Sequence, residues 1–160
     1  MGTPLPTPMS YAKPLAKVMQ LLAEEFPDEG FDIVAHSIGG VMVREVLRQR
    51  PALAGSVHRI LTLGSPHHGT AVVRWIKFGP IYQMLSIESR YLEDLGSFAQ
   101  LAPGSAVTTV GTLHDLVVYP DWACHLDDTH QVTLERISHL GLMTEARALD
   151  EVESAICDIG

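Results

Sequence analysis

The stretch that decides the fold is "DIVAHSIGG", residues 32–40. An apolar, β-branched run leads into Ser37, and a helical pattern of apolar residues begins at Ile38. Two residues away on either side stand Ala35 and Gly39, which are small enough for a strained turn to lift the serine hydroxyl clear of a sheet. The pattern predicts a nucleophile on a strand–turn–helix elbow. The alternative is a serine that only caps the helix.

The composition is that of one globular domain covering residues 1–160. Apolar residues make up 46% of the chain and charged residues 19%. The formal net charge of −8 disfavours nucleic acid and anionic membrane surfaces as partners, because both would repel the chain. No apolar run reaches the ~20 residues that a membrane span needs. Cys124 and Cys157 lie outside any CxxC pattern, so we expect two free thiols.

The N-terminal sequence sets two alternatives for localisation. Residues 1–9 carry three prolines and a glycine, which predict an extended arm. They lack the basic start and apolar core of a signal peptide. We therefore expect a cytoplasmic protein if the chain is complete, and secretion is possible if an upstream segment carries a signal.

Strands and helices alternate along the rest of the chain. A helix is expected from an N-cap at Ser10 to Pro27, and further helical patterns cover 38–50 and 141–159. Because residues 31–35 are apolar on both faces, they predict an interior strand of a parallel sheet. The expected fold is α/β, with three layers and a mainly parallel sheet of about four strands between helices. The predicted strands are "FDIVA" (31–35), "HRILTL" (58–63), "AVTTVGT" (106–112) and "HQVTLE" (130–135).

Two later loops carry the partners that such an elbow requires, in the order serine, acid, histidine. Asp115 follows the third strand, and His139 follows the fourth. Because parallel strands end at one edge of a sheet, Ser37, Asp115 and His139 are predicted to form a catalytic triad. Asp121 is the alternative acid. The backbone N–H of Ile38, at the helix N-terminus, is expected to stabilise an oxyanion.

These segments together resemble the α/β-hydrolase superfamily, of the bacterial lipase and esterase type. "DIVAHSIGG" resembles the AHSxGG elbow, and "LTLGSPHHGT" resembles the LGxPHxGS segment after the next strand. "HDLVV" resembles the acid loop and "SHLGLM" the histidine loop, so four matches span residues 31–143. The resemblance implies a serine carboxylester hydrolase. It would cleave acyl esters through an acyl-enzyme on Ser37, with His139 as general base and without a cofactor.

Four further residues are expected to border an acyl ester substrate, namely His36, His67, Leu116 and Leu140. We expect His36 to pack or hydrogen-bond locally and not to act as the base. The adjacent His67 and His68 could instead bind a metal ion. No cysteine or carboxylate lies at zinc-like spacing from them, so no metal site is expected.

The segment 71–101 predicts two or three short helices rich in aromatic and aliphatic side chains. These helices could simply cover one face of the sheet. They could also form a lid or an acyl-binding wall, because an apolar chain needs an apolar pocket. The two interpretations do not exclude each other.

The region before Ser37 lacks an "HG" element, which supplies the second oxyanion donor in such hydrolases. The prolines at residues 4–8 exclude a central strand there. We therefore expect an N-terminally truncated hydrolase fold whose sheet starts at residues 31–35. That open edge is predicted to pair with a second copy, with the N-terminal arm or with a rearranged segment. A missing donor also predicts weak turnover.

Two other functions remain open on the sequence. One is a catalytically weak or inactive remnant that binds an acyl ligand or a partner chain. The other is a thioesterase, amidase or acyltransferase, because these enzymes use the same three residues.

Overall fold

The computed structural model describes residues 8–75, 84–87 and 89–157, without the side chains of residues 8, 9 and 11. Its centre is a four-stranded sheet in which every neighbouring pair is parallel and the spatial order equals the chain order. The predicted parallel sheet of about four strands is therefore confirmed. The strands are β1 (Phe31–His36), β2 (Val57–Leu63), β3 (Ala106–Thr112) and β4 (His130–Leu134).

Five α-helices and several 3-10 turns connect and cover these strands in the described residues. None of these helices has the length and apolar character that a membrane span requires. The α-helices are α1 (Pro8–Glu25), α2 (Ile38–Gln49), α3 (Arg90–Asp94), α4 (Phe98–Leu101) and α5 (Ala146–Cys157). The 3-10 turns are Pro51–Ser56, Ala71–Trp75, Asp121–Cys124 and Gly141–Met143.

Alternate side chains of β2 face opposite layers, because successive residues of a strand point to opposite faces. Ile60 packs in a core cluster with Ala12 of α1 and Val46 of α2. Leu61 packs in a second cluster with Ala148 of α5. Helices thus cover both faces of the sheet, which confirms the predicted three-layer α/β architecture.

Two predicted helix boundaries are wrong. The helix α1 begins at Pro8, so residues 8 and 9 do not belong to an extended arm and Ser10 lies inside the helix. Proline is tolerated in a first turn because its missing N–H has no intrahelical acceptor there. Residues 1–7 lie outside the described part of the chain. The expected closing helix, 141–159, is divided into the 3-10 turn at Gly141–Met143 and α5.

The strand β1 lies at an edge of the sheet and, within the described residues, pairs with β2 alone. Its side chains alternate in exposure, and Val34 is 47% exposed. The prediction of an interior strand buried on both faces is therefore wrong: Ala35 and Ile33 pack against the core that α1 and α2 share, whereas the opposite face is exposed. Pairing of this open edge with another chain stays a prediction.

The described parts of the segment 71–101 contribute mainly to the core. Five of its large apolar side chains are buried in the cluster that α2 shares, namely Met84, Leu85, Leu92, Leu95 and Phe98. Trp75, by contrast, is 88% exposed. Residues 76–83 and 88 lie outside the described chain. The segment thus serves as a covering layer, and its role as a lid remains a prediction.

Candidate active site

Ser37 forms the turn between β1 and α2 in a backbone conformation that residues other than glycine rarely adopt. Its φ is 55° and its ψ is −130°, so this non-glycine residue lies on the strained positive-φ side. Its N–H donates to the carbonyl of Leu63 at the end of β2 over 2.9 Å. Within the described residues its hydroxyl makes no capping hydrogen bond to α2. The helix-cap alternative is therefore wrong, and the geometry is that of an elbow.

The tightest packing around this elbow occurs at Gly40. A Cβ at Gly40 would overlap the Ser65 hydroxyl and lie 2.8 Å from Ser65 Cβ. At Gly39 an added Cβ would lie 3.5 Å from Ala35 Cβ, which is ordinary van der Waals contact. A methyl group therefore fits at Gly39 but not at Gly40, where α2 packs tightly against Ser65 and Thr62.

Asp115 and His139 meet directly, although 24 residues separate them in the chain. His139 Nδ1 lies 2.7 Å from Asp115 Oδ2, and only 7% and 6% of the two residues is exposed. The other carboxylate oxygen, Oδ1, accepts the N–H groups of Val117 and Val118, each over 2.8 Å. With Nδ1–H donating to the carboxylate, Nε2 of a neutral His139 is the ring nitrogen that can accept a proton.

The pKa of Asp115 is lowered from its ordinary value of 3.8. Burial is the largest influence and would by itself raise this pKa, because it penalises the charged form. Hydrogen bonds from His139 and from the N–H groups of Val118 and Val117 outweigh burial together, and the His139 charge adds to them. The carboxylate therefore stays ionised as an acceptor for His139.

The rival acid, Asp121, has a different position. It opens the 3-10 turn Asp121–Cys124, where its backbone carbonyl accepts the thiol of Cys124 over 2.9 Å. The carboxylate hydrogen-bonded to the His139 ring is that of Asp115.

Gly64, which the sequence reasoning missed, lies between the elbow and the Asp115–His139 pair at one edge of the sheet. It follows Leu63, the acceptor of the Ser37 N–H, and has a φ of +54°. A Cβ at this position would lie 3.0 Å from His139 Nδ1 and 3.2 Å from Asp115 Oδ2. The available signal was a glycine directly after a predicted buried strand, which often marks a close approach of other groups to the backbone.

Ile38 is the first residue of α2 and is half-buried beside the elbow. The first four N–H groups of an α-helix lack acceptors within the helix. The Ile38 N–H is therefore among the groups that can receive an oxyanion at this end of the helix.

His36, expected to border the substrate, contacts His139, and its role toward a substrate stays a prediction. Its Nε2 lies 3.0 Å from the His139 carbonyl oxygen, and the two ring centroids are 4.6 Å apart. Because a carbonyl only accepts hydrogen bonds, Nε2 carries the proton and donates. This local contact agrees with the expectation that His36 is not the base.

His67 has a packing role in place of the expected contact with substrate. Only 1% of the residue is exposed, and its Nε2 lies 3.1 Å from the Thr62 hydroxyl. Burial, and next the charge of Arg44, lower its pKa well below 6.5, so the ring is neutral. His68 is exposed with its ring 5.8 Å from that of Trp122. In the described chain no three potential metal ligands come together.

Leu116 and Leu140 are highly exposed, at 85% and 65%. Each directly follows one member of the Asp115–His139 pair. Other exposed apolar side chains occur on the same two loops, namely Leu113, Val117, Tyr119 and Met143. The loops that carry the pair thus present apolar surface, as contact with an acyl chain requires.

A cavity lies on another part of the domain and is lined by none of the three predicted triad residues. Its volume is about 580 Å³, and its lining includes Arg44, His67 and Leu92. The buried Arg44 donates from Nη1 to the His67 carbonyl over 3.0 Å and from Nη2 to the Leu92 carbonyl over 3.1 Å. Burial lowers its pKa to about 10. Arg44 therefore fastens the loop after β2 to α3.

Comparison with known proteins identifies the family. The sequence model of the PGAP1-like alpha/beta domain matches residues 2–151. The chain belongs to this family. No curated protein matches its sequence.

Solved structures share the fold of this PGAP1-like alpha/beta domain at low sequence identity. Aspergillus fumigatus lipase B has a TM-score of 0.79 at 14% identity, over 98% of this chain and 43% of its own. The mature form of a Bacillus licheniformis lipase has a TM-score of 0.71 at 13% identity, over 96% and 76%. An alpha-beta serine hydrolase homologue from Coxiella burnetii has a TM-score of 0.59 at 12% identity, over 99% of this chain and 62% of its own. The α/β-hydrolase fold predicted from the motifs is thereby confirmed, and the chain spans less than half of lipase B.

Proposed function

We propose that the domain is a serine carboxylester hydrolase with Ser37 as nucleophile, His139 as general base and Asp115 as the orienting acid. The single observation that carries the proposal is the 2.7 Å contact between His139 Nδ1 and Asp115 Oδ2. It lies against Gly64, one residue beyond the carbonyl that holds the strained Ser37 backbone. Membership of a hydrolase-fold family with lipase neighbours supports the same assignment.

The proposed reaction has two halves. In the first, Nε2 of His139 takes the proton of the Ser37 hydroxyl while Oγ attacks the ester carbonyl carbon. The tetrahedral intermediate collapses, and the protonated His139 gives its proton to the departing alkoxide, which leaves an acyl-Ser37 ester and a free alcohol. In the second half His139 deprotonates a water molecule, which attacks the carbonyl carbon of the acyl-enzyme. The protonated His139 then returns the proton to Ser37 Oγ as the carboxylic acid leaves, which regenerates both residues.

Asp115 would act through His139 in both halves. Its ionised carboxylate holds the Nδ1–H tautomer and stabilises the imidazolium that forms when His139 accepts a proton. The lowered pKa of Asp115, in which hydrogen bonds outweigh the effect of burial, supports this role.

The backbone N–H of Ile38 would stabilise the oxyanion of the tetrahedral intermediate. Its position at the start of α2 adds the positive end of the helix dipole. A single donor of an oxyanion site typically contributes about 10²- to 10³-fold to turnover.

The substrate class we propose is an ester with an apolar acyl chain. Support comes from the exposed Leu116 and Leu140 beside the two partner residues, and segment 71–101 is the candidate lid for such a chain. Thioesters and amides would react at the same residues.

Hydrolysis of a short-chain p-nitrophenyl ester tests the proposal. The wild type is expected to release p-nitrophenol above the buffer rate, and Ser37→Ala is expected to abolish this release. The matched control is Ser154→Ala, which removes an exposed hydroxyl on α5 and leaves the rate unchanged. Equal rates for the wild type and Ser37→Ala would overturn the proposal. A folded wild type without turnover would favour the ligand-binding remnant.

A further inference from the structure

His36 stands at the junction between the proposed nucleophile and the proposed base. It is the last residue of β1, so Ser37 follows it by one peptide bond. Its Nε2–H donates to the His139 carbonyl over 3.0 Å. The base is thus tied through its own main chain to the residue that precedes the nucleophile.

The His36 ring is suited to hold this hydrogen bond without carrying a charge. Burial is the largest influence on its pKa and lowers it, and the positive charge of a protonated His139 also lowers it. The hydrogen bond to His139 and the charge of Asp115 act in the opposite direction but do not reverse the shift. A neutral imidazole whose Nε2 must donate has one tautomer, with the proton on Nε2.

Hydrogen bonds hold the loop that carries His139 at several points of the described chain, among them the bond from Thr112 Oγ1 to the Ile137 carbonyl over 2.6 Å. The ring is held through Nδ1 by Asp115, and the turn that follows is closed by Ser138, whose carbonyl accepts the Leu142 N–H over 3.1 Å. Neither of these last two contacts involves a residue of the elbow. The hydrogen bond from His36 connects the loop directly to the residue before Ser37, and the His36 and His139 ring centroids are 4.6 Å apart.

We propose that His36 is a positioning residue, which sets the place of the His139 loop relative to Ser37 through its Nε2–H bond to the His139 carbonyl. This inference rests on the proposed function. His36 itself touches neither the reacting atoms nor the leaving group in this role. Misplacement of a catalytic group by about 1 Å can cost on the order of 10²-fold in rate. Loss of the bond should therefore lower kcat and leave KM almost unchanged.

Two substitutions of similar volume separate the hydrogen bond from the packing. In His36→Gln an amide N–H can still reach the His139 carbonyl, whereas His36→Met has no donor. We expect His36→Met to lower kcat on the short-chain ester by about 10- to 100-fold, and His36→Gln to recover most of the loss. His36→Phe keeps an aromatic ring against His139 without the donor, and we expect it to behave like His36→Met. Equal kcat values for the Gln, Met and Phe variants would overturn the proposal.

Amide hydrogen exchange supplies a readout that does not depend on turnover. The N–H groups of Gly141 and Leu142, which are bonded within the turn at Ser138, should exchange faster in His36→Met than in His36→Gln. Unchanged protection in His36→Met would overturn the proposed link. If the wild type shows no Ser37-dependent hydrolysis, the proposed function fails, while the exchange comparison still decides whether His36 holds the loop.

Discussion

The His139 imidazole donates through Nδ1 to the Asp115 carboxylate over 2.7 Å, and both side chains are almost completely buried. The pair therefore has a fixed geometry that water does not compete for. Replacing the carboxylate by an amide tests what it contributes. We expect Asp115→Asn to lower kcat by about 10³- to 10⁴-fold, because the amide does not hold the Nδ1–H tautomer or stabilise the imidazolium.

The control for this substitution is Asp121→Asn. Asp121 lies on the same stretch of loop, and both substitutions replace an aspartate by an asparagine, so the two variants have the same change of charge. Rates on the short-chain ester should be near wild type for Asp121→Asn. The acid is wrongly assigned if Asp121→Asn abolishes turnover and Asp115→Asn does not.

The buried His67 is expected to make folding stability depend on pH below neutrality. Burial first, and then the charge of Arg44, hold the pKa of His67 well below 6.5 in the folded chain. As the pH falls below 6.5, the unfolded chain binds a proton that the folded chain refuses, so folding stability decreases with falling pH. The slope from this one group approaches about 1.4 kcal/mol per pH unit.

Urea unfolding from neutral to mildly acidic pH measures this effect. His67→Gln retains polar contact capacity but has no proton to bind, so its unfolding free energy should vary less over the same range. His68→Gln, at the exposed neighbouring position, is the control and should follow the wild-type profile. Identical pH profiles for the wild type and His67→Gln would contradict a lowered pKa of His67 in the folded chain.

The neighbouring glycines 39 and 40 give a matched pair for the packing of the elbow. We expect Gly40→Ala to destabilise the domain by about 1–3 kcal/mol, because the added methyl group overlaps Ser65. Gly39→Ala places its methyl group 3.5 Å from Ala35 Cβ and should leave stability unchanged or raise it by up to about 1 kcal/mol. Thermal or urea unfolding of both variants provides the comparison. A larger loss for Gly39→Ala would contradict the packing described here.

The sequence predicted the order of the elements and the meeting of Asp115 with His139, because strand patterns and chain order are local information. Parallel strands end at one sheet edge, so two loops 24 residues apart could be placed together without coordinates. The choice between Asp115 and Asp121 could not be made this way, since both lie on the same loop. Which of two aspartates six residues apart meets His139 depends on tertiary contacts.

Other errors have the same cause. The apolar pattern of β1 predicted burial on both faces, whereas burial depends on what neighbours the strand has in the sheet. A cap at Ser10 places the first helical residue at 11, three residues after the observed start at Pro8, because Ser10 is a favourable cap in isolation. The family resemblance places His67 beside the pocket, and only the packed structure shows that its ring is buried against Thr62.

The central claim is that Ser37 is an activated nucleophile, and covalent labelling tests it most directly. A fluorophosphonate forms a stable phosphonyl ester on an activated serine, with loss of fluoride, and peptide mass spectrometry locates the adduct. We predict one adduct, on Ser37, in the wild type, and much slower labelling in His139→Ala. Absence of an adduct on a folded wild-type chain, or an adduct on another serine that persists in Ser37→Ala, would contradict the claim.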